Sequence, residues 1–128
     1  MTSGVSGSSR ERYEVKTPAQ IARQAATIVR ERGWARYALE NSEGRVCALG
    51  GLRAAAFGAA EVHGVRGRPN WEAYETAKRT LVKVMVEQIT GVPANYGLTT
   101  MNDNMVGSGE ELAGYMEKAA AKLEEEGD

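Results

Sequence analysis

One cysteine, one histidine, one phenylalanine and three prolines are all that this 128-residue chain holds of those types, and each scarcity excludes something. A lone cysteine, Cys47, cannot close an internal disulfide, which suits a reducing compartment. No stretch approaches the roughly 18–20 apolar residues needed to cross a bilayer. The opening MTSGVSGSSRERYEVK has no apolar centre of the signal-peptide kind. A cytoplasmic protein without a membrane partner is therefore expected. One His, one Cys and scattered Glu give no zinc-type spacing, so no metal is expected. Gly50-Gly51 lacks the preceding strand and following Lys of a phosphate-binding loop, and no Gly-x-Gly-x-x-Gly occurs, so no cofactor is expected either. Aromatic residues make up 6% of the chain and no dense basic stripe interleaves with them, which argues against nucleic acid as a partner. There is no internal repeat.

What is present is ordinary for one globular domain: 42% hydrophobic and 26% charged residues. The net charge of −1 is unevenly spread. Residues 1–68 carry eleven Lys/Arg against six Glu, and residues 69–128 carry five against eleven acids. The two halves either neutralise each other within one fold or steer a partner.

Residues 1–16, rich in Ser and Gly, read as a flexible arm ahead of a single helical domain over 17–126. Thr17-Pro18-Ala19-Gln20 combines a cap, a proline at the first helical position and a capping-box glutamine. Ile21, Ala25, Ile28 and Val29 then give one apolar face, so a helix is expected over about 18–32, closed by Gly33. Trp34, Tyr37 and Leu39 alternate, and Asn41-Ser42-Glu43-Gly44 is a turn signal. Either a hairpin pairs 35–39 with 45–49, or a loop lets Trp34 plug the core. A second helix is expected from Cys47 or Ala48 to about Ala60, so rich in Ala and Gly that a neighbour must approach it closely. Asn70 is placed to cap a third helix whose inner face runs through Tyr74, Ala77, Leu81, Val84 and Met85, stopped by Gly91 and Pro93. A connection over 93–107 follows, long enough to suggest a functional loop. Ser108-Gly109-Glu110-Glu111 is a second capping box, opening a helix over 109–125 on Leu112, Tyr115, Met116, Ala119 and Leu123. The fold class is all-α: a bundle of about four helices, with a short β-hairpin before the second as the option left open.

Two places could carry chemistry. Cys47 at a helix start would have its thiolate favoured by exposed amides. The only base of the usual kind is His63, about 24 Å away along a continuous helix. A buried structural thiol is the competing reading and the favoured one. Asn102 and Asp103, on the long connection, either bind a ligand or brace the core, with Asp103 bonded to Trp34, Arg53 or a helix start. Trp34, Arg53, Cys47, Asn102 and Asp103 are the candidate ligand-binding residues; no catalytic residue is assigned.

Gly33-Trp34, then Gly44-Arg45-Val46-Cys47-Ala48-Leu49-Gly50 with Ala55, then Asn102-Asp103 ahead of the last helix resemble a family of small uncharacterised proteins of actinobacteria and their phages. The resemblance spans about residues 18–123. It implies a compact domain of unknown function in which Trp34, Cys47, Gly50, Asn102 and Asp103 form one constellation. The chain departs from the pattern at Gly51, where alanine is expected, and at Met101, where tryptophan is expected before Asn-Asp. Taken with the small size, it implies a protein-interaction module that binds a host or viral protein, or its own copies, without catalysis. The alternatives are a ligand-binding or cysteine-dependent enzyme with a pocket at Cys47, Asn102 and Asp103, and a structural virion or assembly protein.

Overall fold

A computed structural model describes residues 14–93 and 95–128, so the first thirteen residues of the expected arm lie outside the described part. Among the described residues five helices follow in order: α1 (Pro18–Arg32), α2 (Ala48–Phe57), α3 (Trp71–Gln88), α4 (Leu98–Asn104) and α5 (Gly109–Glu125). That is one more than the four expected. No helix among the described residues is long and apolar enough to cross a membrane.

α1 starts as its sequence dictates. The Gln20 amide donates to Thr17 Oγ1 at 3.1 Å and the Thr17 amide to Gln20 Oε1 at 2.9 Å, a reciprocal pair that satisfies two otherwise orphaned donors. Its buried stripe of Ile21, Ala22, Ala25, Ala26 and Val29 packs chiefly on α5, which offers Leu112, Ala113, Met116, Ala119, Ala120 and Leu123. The alanines let the two helices approach closely. Ion pairs from Arg23 to Glu124 and from Arg30 to Glu117 and Glu110 show the helices to be antiparallel. Arg30 holds both of its glutamates below the usual carboxylate range. These pairs lie in solvent and fix register more than they add stability.

α5 is only half of the expected capping box. Ser108 Oγ accepts from the Glu111 amide, but the Glu111 carboxylate reaches past it to the Gly107 amide. Gly109 has a packing reason: a Cβ there would stand 2.8 Å from the Trp34 Cβ.

Three expectations are corrected. α2 ends at Phe57 rather than near Ala60, because Gly58 turns left-handed at φ +92° and its amide closes onto the Ala54 carbonyl. Asn70 precedes α3 but its side chain makes no cap bond. Its backbone stands at φ +79°, outside the extended region a capping side chain needs. The amide instead ties segment 14–16 to the end of α2, accepting from the Lys16 amide and donating to the Glu14 and Ala56 carbonyls. The connection 93–107 is not irregular throughout, since it contains α4, with Leu98, Met101 and Asn102 buried at helical spacing.

The hairpin option is also corrected. Val46 makes two isolated bridges, parallel to Trp34 and antiparallel to Glu40, and the described residues contain no strand. Pairing stops because Tyr37 is left-handed at φ +69°, which bends 35–39 out of extension. Asn41 Oδ1 also accepts from the Glu43 and Arg45 amides, curling the turn onto itself. Three passes of chain, near 33–35, 39–41 and 45–47, are thus laced together one residue deep.

Candidate functional site

The laced segment leads to the expected constellation. Its hub is Asn102, the one fully buried polar residue among those described. An asparagine side chain has two acceptor sites and two donors, and Asn102 uses all four inside the protein. Its Oδ1 accepts from the Trp34 indole Nε1–H at 2.8 Å and from the Ala48 amide at 2.9 Å. Its Nδ2 donates to the Ala35 carbonyl at 3.1 Å and to Asp103 Oδ1 at 2.9 Å. One side chain on α4 therefore fastens the exit of α1 to the start of α2. The amide it satisfies at Ala48 is one of the unpaired first-turn donors of α2.

Cys47 is the N-cap of α2, and its Sγ accepts weakly from the Gly50 amide at 3.4 Å. It is 3% exposed. Burial pushes the thiol pKa up and the Asp103 carboxylate adds to this, outweighing the local amides that favour the thiolate. His63 is exposed on the loop after α2 and no hydrogen bond joins it to the thiol. The arrangement is that of a buried capping thiol, the opposite of an activated nucleophile. Cys47 is expected to resist a neutral-pH thiol reagent in the native protein and to react promptly in denaturant; fast stoichiometric labelling of the folded chain would contradict this.

Gly50 explains the small-residue run more sharply than helix packing does. A Cβ there would overlap the Leu39 carbonyl oxygen and stand 2.9 Å from its carbon. The loop backbone lies directly on α2, where the Cys47 amide also donates to that carbonyl at 3.2 Å. Gly51 is different, since a Cβ there meets only the Val29 and Met116 side chains, at 3.3 and 3.6 Å, before any backbone atom.

Asp103 completes the lacing, its Oδ1 accepting from the Tyr37 amide at 2.8 Å. Arg36 lies 4.5 Å over the Trp34 ring and donates to the Val106 carbonyl. Four of the five candidate residues, Trp34, Cys47, Asn102 and Asp103, thus come together. Arg53 does not join them; its Nε donates to the Tyr74 hydroxyl at 3.1 Å. No buried side-chain nitrogen or oxygen among the described residues is left without a partner.

What sequence reasoning passed over is Tyr37, read only as one position of an alternating run. It is 77% exposed, held at positive φ, and sits at the tip of a turn tied down on both sides. Its signal was faint: an aromatic residue between Arg36 and Ala38, without a glycine or asparagine to mark the left-handed turn.

The model of a family of unknown function (DUF6197) matches residues 14–122, and the chain belongs to that family. No curated protein and no solved structure matches it.

Proposed function

We propose that this family member is a small interaction module without a catalytic centre at Cys47, and that its working surface is the turn Ala35–Leu39. The observation that carries the reading is Tyr37. Holding a non-glycine residue in the left-handed region costs on the order of 1–3 kcal/mol. Leaving a tyrosine ring in water gains nothing in return. The Asp103 carboxylate and the Asn102 hub fix the backbone that makes this display. A pre-ordered tip loses little entropy on docking, and tyrosine is among the residues that most often anchor protein interfaces. The polar groups expected of a ligand site support the same reading, since Asn102 has no hydrogen-bonding capacity left for a ligand. The resemblance to proteins of actinobacteria and their phages adds that the partner is a host or viral protein met in the cytoplasm.

Tyr37→Gly separates display from folding. Glycine relieves the positive φ, so the variant is expected to melt no lower than wild type. In capture from native host lysate it is expected to lose the partner that wild type retains. Equal capture by both proteins, or no specific capture by wild type, would remove the proposal.

A further inference from the structure

A second surface lies at the opposite end of α4 from Asp103. Leu98, at the start of that helix, joins Leu49 of α2 and Val82 of α3 in the floor of an open groove of about 530 Å³. Lys78, Arg79 and Lys83 stand along its α3 side. The charge there runs against its surroundings. Residues 69–128 hold five cations against eleven acids, yet three of those five cluster on this rim. The acid among them is Glu75, 3.2 Å from Lys78 and 4.0 Å from Arg79. Lys83 makes no ion pair among the described residues, so the rim keeps a local excess of positive charge. Along the same helix, one turn beyond Val82, Val86 is 46% exposed. It is one of only three large apolar side chains that the described residues leave exposed, with Val15 and Tyr37. From Lys78 to Val86 the face runs about 12 Å, a little over two helical turns.

We infer that this groove receives an acidic amphipathic helix of a partner protein, with apolar side chains at three- and four-residue spacing seated on Leu49, Val82, Leu98 and Val86, and Glu or Asp residues meeting Lys83 and Arg79. The inference rests on the interaction role proposed above and specifies the chemistry of one partner segment. Helix-in-groove docking lays apolar side chains at three- and four-residue spacing into an apolar trough, and complementary charge along the rim steers and orients the incoming helix. Small-molecule sites enclose most of their ligand, whereas this trough is open, and exposed Val86 stands just outside its lining, one helical turn past Val82. A flat anionic membrane would reach the lysines but not the floor beneath them.

The test is selection of short random peptides displayed on yeast against the full chain, followed by affinity measurement of the enriched sequences. Enriched peptides are expected to carry an acidic excess and apolar residues at helical spacing. Arg79→Glu with Lys83→Glu, and separately Val86→Asp, are each expected to weaken them by about tenfold or more. All three positions are exposed, and circular dichroism checks that the variants stay folded. Enrichment without acidic bias, or unchanged binding by the charge-reversed variant, overturns the inference. So does binding of phosphatidylglycerol vesicles through Lys83 with no peptide enriched. Tyr37-dependent capture in the absence of acidic peptide binders would remove the groove while leaving the interaction role in place.

Discussion

Asn102→Ala is expected to destabilise the protein by about 3–5 kcal/mol, since each buried group left without its partner costs about 1–3 kcal/mol. Three are stranded at once: the Trp34 indole N–H, the Ala48 amide and the Ala35 carbonyl. The site is fully buried, and the low local dielectric makes such a half-satisfied network worse than an apolar one. Against a typical total stability of about 5–15 kcal/mol, this is a large fraction. Asn104→Ala, two residues along α4, is the matched control. Asn104 is exposed and bonds only the Thr100 carbonyl, so its loss is expected to stay within about 0.5 kcal/mol. Urea unfolding of the two variants reads the contrast directly; similar losses for both would mean that Asn102 is not the hub.

The second large effect separates two adjacent glycines. Gly50→Ala drives a methyl group into the Leu39 carbonyl, which is backbone and cannot rotate aside. Either the loop lifts off α2, breaking the Cys47 amide bond to that carbonyl, or α2 shifts. Overpacking of this kind costs about 1–3 kcal/mol when side chains can yield, and a loss of about 3 kcal/mol or more is expected where backbone must move. Gly51→Ala meets side-chain atoms of Val29 and Met116 at 3.3 and 3.6 Å. The helix-propensity gain of about 1 kcal/mol offsets that crowding, so stability is expected within about 1 kcal/mol of wild type. Thermal melts of the pair give the answer, and equal losses would contradict the loop-on-helix packing.

The same contrast marks what was legible in the chain. α1 could be read because Thr17, Pro18 and Gln20 announce it locally and its apolar face repeats over four turns. α5 has Ser108 and a similar stripe. α4 could not, because Gly97 supplies no capping side chain and seven residues are too few to establish a period. Its helix exists because Leu98, Met101 and Asn102 find burial in the assembled fold, which is tertiary information. The lacing of 33–35, 39–41 and 45–47 was half legible. The turn at Asn41–Gly44 stands in the sequence, but the parallel bridge from Trp34 to Val46 depends on where α1 delivers the chain. Asn70 shows a capping residue diverted: its position before a helix was read correctly, but its left-handed backbone sends the side chain to residues 14, 16 and 56.

The gathering of Trp34, Cys47, Asn102 and Asp103 was expected only through family resemblance; residue chemistry alone left their role open. Cys47 and Asn102-Asp103 lie more than fifty residues apart, and no local pattern joins them. Arg53 was grouped with them as a possible bonding partner of Asp103, but it extends from α2 toward Tyr74 instead. Tyr37 was read only as one position of an alternating run, because its left-handed backbone and its exposure are not carried by composition.

Native-state hydrogen exchange of the Trp34 indole proton and the Ala48 amide proton tests most directly that Asn102 is a sealed clasp rather than the floor of an open site. Both protons donate to the one buried oxygen. Both are expected to exchange only through global unfolding, with a free energy and denaturant dependence matching those of equilibrium unfolding. Exchange of either proton within minutes in native buffer, independent of denaturant, would show that water reaches Asn102 in the folded protein and would contradict the clasp.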